Sequence, residues 1–486
     1  MEQGKKDSSD ASPDPSLDYL NRNPSPPPSD DETPTADSIG TTVFSKHWLF
    51  STLTKLVKFV ESDQKTKNEE GEDVPVELDE ELEDEVCKLW DMSMNEEVAL
   101  FLKEFEGPEL LVGIIKKSKS KRLTEICMGI LANMSCFKET RECMTENDGL
   151  GELVLLLLAD PDPPTLIETS RFLLTCLSHS DVANTWLERL NEELWVRKNI
   201  YFIMSSSTNV DLLVKVGELV EKLFDLDSGM VFEWVEADSE DSVKDDENSE
   251  EENPPALQLV PSVLEAAKQL RFQSTEGLDV YLHILQLMTT VNHGFEAIVK
   301  PPDCGQSVWE FLYDLTSHEL CQPNDPPLLI QEQKTLLSSL FAVMQSMFSC
   351  YKDKDYLKIG KNLPLISRVM QVLDHVQVYD DNLFDQYTKK KSDYDATNQA
   401  LEKDVPFSIL KDVCLEFLTQ MLFALTKDDI KECFQQGYLN EHICRKALGH
   451  VLPMYRSYIS DFLTVLSEVD QNLSNMLQKL MPPPRR

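Results

Sequence analysis

Residues 130–160 read ILANMSCFKETRECMTENDGLGELVLLLLAD: a short apolar helix, a polar interval, a glycine step and a leucine-rich helix. If this stretch is one unit of a repeat, similar units must recur at a fixed spacing. They do. GILANMS at Gly129 is matched by FLLTCLS at Phe172, forty-three residues on, and again by LVEKLFD at Leu219. A second element recurs as a glycine opening an apolar helix, at Gly107, Gly149, Gly305, Gly360 and Gly437, the first two forty-two residues apart. A glycine in such a place is expected to end one helix in the left-handed conformation and turn the chain into the next. Further stripes at helical spacing follow at Leu278, Leu282, Leu285 and Met288, at Leu337, Leu340, Phe341, Met344 and Met347, and at Leu415, Leu418 and Leu422.

Helical units repeating at about forty to forty-seven residues are the signature of armadillo and HEAT solenoids. The expected fold is therefore all-α, an armadillo/HEAT-like helical solenoid with a disordered acidic N-terminus and an acidic internal linker. Composition agrees, with 16 Gly in 486 residues and few runs of alternating β-branched side chains. The net charge of −40 is unevenly spread. Residues 69–85 hold eleven acids and no base, and Glu233–Glu252 hold eleven acids and one Lys. Segments so rich in like charge repel themselves and bury little apolar surface. The expected organisation is a Pro/Ser/Asp-rich tail at 1–42, armadillo-like repeats at 43–232 with the acidic segment 69–85 fraying into a helix near Val86, a disordered linker at 233–256, further repeats at 257–480 interrupted by a polar insertion at 379–403, and a tail at 481–486.

This pattern excludes several classes. Neither the Gly-x-Ser-x-Gly elbow, nor His-Glu-x-x-His, nor a phosphate-cradling Gly-x-x-x-x-Gly-Lys-Ser/Thr occurs, so no enzyme and no cofactor is expected. Cys433, His442, Cys444 and His450 are the best metal candidates, but His442 and Cys444 two apart on one helix point about 200° from each other. No metal is expected. Eleven scattered Cys without a Cys-x-x-Cys pair, and an N-terminus without an apolar core, read as an intracellular chain with reduced thiols. Cys127, Cys136 and Cys176 sit in or beside apolar stripes and read as core thiols. No apolar run approaches the roughly eighteen residues of a membrane span. The acidic balance also argues against direct duplex DNA binding, which clustered Lys and Arg support.

Taken whole, the chain resembles the serum amyloid A-like protein 1 family. The residues carrying the resemblance are the acidic entry into CKLWDMSMNEEVALFLKEF, the GILANMSC and RFLLTCLS repeats, and the Pro-rich start. The resemblance implies an armadillo-type, non-enzymatic protein, nuclear or nucleocytoplasmic, linked to cell proliferation. The function expected is thus a monomeric scaffold binding proteins through a groove, with an RNA-associated regulator as the alternative. Candidate groove residues are Asn133, which matches the asparagine of peptide-binding armadillo helices, and bases on the presumed third helices: Lys116, Lys117, Arg197, Lys198, Arg368, Arg445 and Lys446. These bases form an intermittent strip to which the acidic linker is a tethered competitor. Lys116 to Arg122, KKSKSKR, also reads as a nuclear-import signal. Ser29 and Ser249 precede acids, and Ser25 and Thr33 precede proline, so all four are candidate phosphorylation sites.

Overall fold

A computed structural model describes residues 37–63, 77–244, 257–301, 303–322, 327–350, 354–390, 404–451 and 455–479. Among these residues helices dominate, no strand forms, and an isolated bridge pairs Ser38 with Ser45. The chain divides into two compact units, Met1–Leu150 and Gly151–Arg486. The first holds α1 (Lys46–Asp63), α2 (Glu80–Met92), α3 (Glu96–Glu104), α4 (Gly107–Lys117), α5 (Lys121–Met134) and α6 (Lys138–Glu146), and α7 (Asp148–Leu157) starts at its end. The second continues with α8 (Pro163–Leu177), α9 (Ala183–Glu192), α10 (Leu194–Ser206), α11 (Val210–Leu226), α12 (Ser228–Lys244), α13 (Leu259–Leu270), α14 (Thr275–Thr289), α15 (Asn292–Val299) and α16 (Cys304–Asp314). After a π-helical turn at Leu315–Glu319 come α17 (Pro327–Glu332), α18 (Lys334–Cys350), α19 (Leu363–Lys390), α20 (Val405–Ala424), α21 (Lys427–Gln436), α22 (Glu441–Val451), α23 (Arg456–Ser467) and α24 (Gln471–Gln478).

In the second unit the helices stack in two layers. The first runs α8, α11, α14, α18, α20, α23, each packed on the next, and the second runs α10, α13, α16, α19, α22 behind it. This is a helical solenoid. In the first unit α5 lies against α2 and α4, and α3 joins α4 to α6. The apolar stripes at Leu278–Met288, Leu337–Met347 and Leu415–Leu422 are buried at the residues the spacing selects. Side-chain caps fix several helix starts, among them that of α22, where Asn440 Oδ1 accepts from Ile443 N, while α23 has none. The first-layer helices α8, α11, α14 and α20 begin at Asp162, Asn209, Ser274 and Asp404, whose side chains accept from a backbone N–H of the first turn. Asp79 and Ser120 do the same for α2 and α5, whereas α10, α13 and α16 have no side-chain cap. A cap of this kind stabilises a helix start by about 1 kcal/mol, because it satisfies an otherwise orphaned donor.

Several boundaries fall elsewhere than the sequence predicts. The tail expected to be disordered through 42 is ordered from Asp37: Ile39 is buried, and Thr41 bonds the Glu97 carboxylate through N (2.6 Å) and Oγ1 (2.9 Å). The acidic segment 69–85 gives way to helix at Glu80, where Glu80, Glu81 and Glu83 complement the positive end of the helix dipole instead of merely repelling one another. The linker does not begin at Glu233. Trp234 is only 1% exposed, with its ring centroid 5.3 Å from Phe224 and 5.8 Å from Tyr201, and α12 extends to Lys244. Counting charges overlooks that single aromatic anchor. The insertion at 379–403 is likewise the continuation of α19 as far as Lys390. Residues 1–36, 245–256, 391–403 and 480–486 lie outside the described residues, as do the phosphorylation candidates Ser25, Ser29, Thr33 and Ser249.

The glycines work differently from the expectation. Only Gly437 among the repeat glycines takes the left-handed conformation (φ 79°), as the C-cap of α21. At Gly107 it is Glu106 that turns left-handed (φ 53°), and Gly107 itself is required because a Cβ there would sit 2.7 Å from the Leu102 carbonyl oxygen. Cys127 and Cys176 are buried as expected, but Cys136 is exposed.

Candidate functional site

Along α8, α11 and α14 one side of the first layer is partly exposed. Over α8, α11 and α14 this side opens a cleft of about 640 Å³ lined by Arg171, Thr175, His179, Lys215, Lys222 and His283. Spacings of three and four residues place these groups on single faces of their helices. Polar contacts then step from helix to helix. Glu221 of α11 meets His283 Nδ1 of α14 at 2.5 Å, Thr335 of α18 donates to Asp279 of α14 at 2.5 Å, and Gln345 of α18 donates to Glu416 of α20 at 3.0 Å. Within helices Arg171 pairs with Glu168 and Lys215 with Glu218, each at 2.6 Å.

These contacts shape the charges. The Glu221 carboxylate hydrogen-bonded to His283 raises the imidazole's pKa, overcoming the opposite effect of its partial burial. Burial raises the carboxyl of Asp279, against the hydrogen bond from Thr335. The result is a face of bases and acids already matched to one another, with backbone hidden and side chains presented. A second cleft of about 690 Å³ opens beside α13 and α16, and there Arg271 is already clamped by Asp314 and Glu319.

The sequence-predicted site residues do not converge. Asn133 is 4% exposed, and its Nδ2 donates to the Trp90 carbonyl (2.9 Å) and Ser93 Oγ (3.0 Å) at the C-terminus of α2. It closes the end of α2. Arg197 is 5% exposed, donates to the Glu233 carbonyl at 2.7 Å and lies 5.7 Å from the Trp234 ring centroid. Arg368 donates to the carbonyls of Cys321 (2.9 Å) and Ser317 (3.4 Å), which the π-helical turn and its exit leave without helical partners. Lys446 pairs with Asp374 at 2.7 Å and Arg445 with Glu441 at 3.0 Å. Lys116, Lys117 and Lys198 are exposed, and Lys116 donates to the Gly149 carbonyl at 3.3 Å. All these bases sit on α4, α10, α19 and α22. Of these, α10, α19 and α22 belong to the second layer of the second unit, so their bases do not line the cleft over α8, α11 and α14. Of the rejected metal set, Cys444 is buried, His442 is exposed and His450 Nε2 lies 3.3 Å from Asp374. Sequence reasoning missed the face residues Lys215, Glu221 and His283. The capping residues Asn209 and Ser274 ahead of the apolar stripes signal where α11 and α14 start and not which side is exposed.

Comparison with known proteins places this architecture. Residues 196–459, from inside α10 to inside α23, match the family model described as the SAAL1 C-terminal domain. A relative from Xenopus tropicalis, Protein saal1, is 49% identical over 95% of this chain and 99% of its own length. Protein SAAL1 of Homo sapiens is 46% identical over 92% of this chain and 94% of its own length. Protein saal1 of Danio rerio is 42% identical over 95% and 93%. With identity of this order across nearly the whole length of both chains, the protein belongs to the SAAL1 family.

Proposed function

We propose that the chain is a non-catalytic scaffold of the nucleus and cytoplasm that binds other proteins on the uncovered face of its first layer and supports cell proliferation. The observation that carries the binding-face reading is the cleft over α8, α11 and α14 together with the polar contacts that continue it to α18 and α20. A face assembled from several successive helices suits recognition of another protein's surface better than it suits a small-molecule reaction, which needs convergent groups in an enclosed pocket. Family membership and its implied nuclear, proliferative setting support the cellular part of the reading.

An RNA-bound regulator is the less supported alternative. The bases invoked for it are buried, bonded to carbonyls or spread over α4, α10, α19 and α22, whereas phosphate binding needs unpaired bases gathered together. Two variants of the full chain test the proposal in quantitative affinity capture. Lys215→Glu with Lys222→Glu alters the first-layer face, and Lys198→Ala with Lys446→Ala alters the second layer. The first pair is expected to lose specific partners that the second pair retains. Equal recovery by both pairs would remove the face from the account.

A further inference from the structure

The first-layer face ends in a corner of different chemistry. On α20 the residues Ile409, Asp412, Glu416, Gln420 and Phe423 follow one another at intervals of three and four, so they form one stripe, and none of them is buried. Phe423 is 45% exposed and Tyr458 of α23 is 46% exposed, although their rings meet edge to face at 5.5 Å. Tyr455, at the start of α23, lies 6.4 Å from Tyr458 at an interplanar angle of 61°. Tyr458 thus stands at a steep angle to both Phe423 and Tyr455, and Phe423 and Tyr458 keep aromatic surface open to solvent.

Two carboxylates share the corner. Burial raises the Tyr455 hydroxyl's pKa first, and Glu416 and Asp412 raise it further, which places both acids within electrostatic reach of that ring. Among the described residues neither Asp412 nor Glu416 is in an ion pair, in contrast to Asp428 with Lys431 and Glu468 with Lys427 nearby in the chain. Glu416 is instead positioned by two amides, Gln345 (3.0 Å) and Gln420 (3.4 Å), both donating to Oε1. Gln420 Oε1 is enclosed there without a hydrogen-bond partner.

Open aromatic faces beside unpaired carboxylates have one matching ligand chemistry. A cation over a Tyr or Phe face is attracted by the ring quadrupole, and a carboxylate at the rim adds a charge-assisted hydrogen bond. An anionic ligand would meet two negative charges. A neutral apolar ligand would leave both carboxylates against it. We propose that the corner formed by Asp412, Glu416, Phe423, Tyr455 and Tyr458 is a subsite for a lysine or arginine side chain from a basic segment of a partner protein. The chain's net charge of −40 draws such a segment in, and the corner fixes one of its side chains. This inference rests on the first-layer face being the partner-binding surface and adds the chemistry of what binds at its end.

The test uses the full chain and a fluorescent hexa-arginine peptide, read by anisotropy at physiological salt, with hexaglutamate as the comparison probe. Hexa-arginine is expected to bind and hexaglutamate to fail. Tyr458→Ala and the pair Asp412→Asn with Glu416→Gln should each weaken binding about tenfold, a loss typical of a partly desolvated cation–π contact or its charge partner. Tyr458→Phe keeps the ring face and should retain affinity. The pair Asp428→Asn with Glu432→Gln, on α21, removes two charges elsewhere and should change little. Because these side chains are exposed, helicity by circular dichroism should be unaltered in every variant. No binding of hexa-arginine, no loss with Tyr458→Ala, or an equal loss from the α21 pair would overturn the proposal. Failure of the first-layer reading would show differently: affinity capture indifferent to Lys215 and Lys222 while the peptide result stands.

Discussion

The two layers of the second unit put charge to opposite uses. In the second layer, polar side chains are turned to construction: Arg197 fastens α10 to the Glu233 carbonyl and the Trp234 ring, Arg368 holds the carbonyls of Ser317 and Cys321, and Lys446 ties α22 to Asp374. In the first layer, Lys215, Lys222, His283 and Glu416 remain part of an accessible face and pair with neighbours on the surface. A base in an acidic repeat protein is therefore not a binding residue by virtue of its charge. What decides its role is whether a buried carbonyl or an aromatic ring lies within reach, since a buried acceptor left unpaired costs more than a surface contact gains.

Substitutions can break this contrast. The largest effect is expected for Trp234→Ala, which empties a fully packed site among Phe224, Tyr201 and Arg197 and should cost about 3–5 kcal/mol in denaturant unfolding. A cost below that of an average surface change would mean that α12 does not anchor the second layer. Next is Gly217→Ala on α11. The added Cβ would lie 2.7 Å from Tyr281 Cε2 and 3.0 Å from its Cζ, so α11 and α14 must separate, at about 1–3 kcal/mol. Asn133→Ala removes both donors from the end of α2, and about 1–3 kcal/mol of stability with them, while partner binding should be unchanged. Loss of binding without loss of stability would restore Asn133 to a recognition role.

The smallest effect is electrostatic. His283 titrates above its ordinary value because Glu221 stabilises the imidazolium, so the pair contributes fully below the unfolded pKa of about 6.5 and the contribution is lost as pH rises through the raised folded value. An NMR titration of the His283 ring should show this raised midpoint, and Glu221→Gln should bring it back down. A midpoint indifferent to Glu221→Gln would mean that the α11–α14 contact does not persist in solution.

Much of the fold was legible because burial follows helical spacing. Leu278, Leu282, Leu285 and Met288, read as one stripe, are all in the core, as are Met344 and Met347. The face was not legible, for a physical reason. Glycine openings at Gly107 and Gly305 drew attention to α4 and α16, yet those glycines relieve close approaches to the Leu102 carbonyl and the Tyr356 hydroxyl and say nothing about which helix is uncovered. Asp162, Asn209, Ser274 and Asp404 cap first-layer helices, but Asn440 caps α22 of the second layer and α23 has no cap, so capping marks helix starts and not the layer. The other misreadings share a cause. Trp234 and Arg197 are single residues whose environment comes from neighbouring helices, and window averages of charge or hydropathy dilute them, as they do the buried Ile39.

The central claim is that partners engage the first layer. Its most direct test is affinity capture with the full chain, comparing Lys215→Glu with Lys222→Glu against Lys198→Ala with Lys446→Ala. The account predicts that the first pair loses partners which the second pair recovers in full, with the folding of both intact. Retention by the first pair and loss by the second would contradict it and return function to the layer of bases.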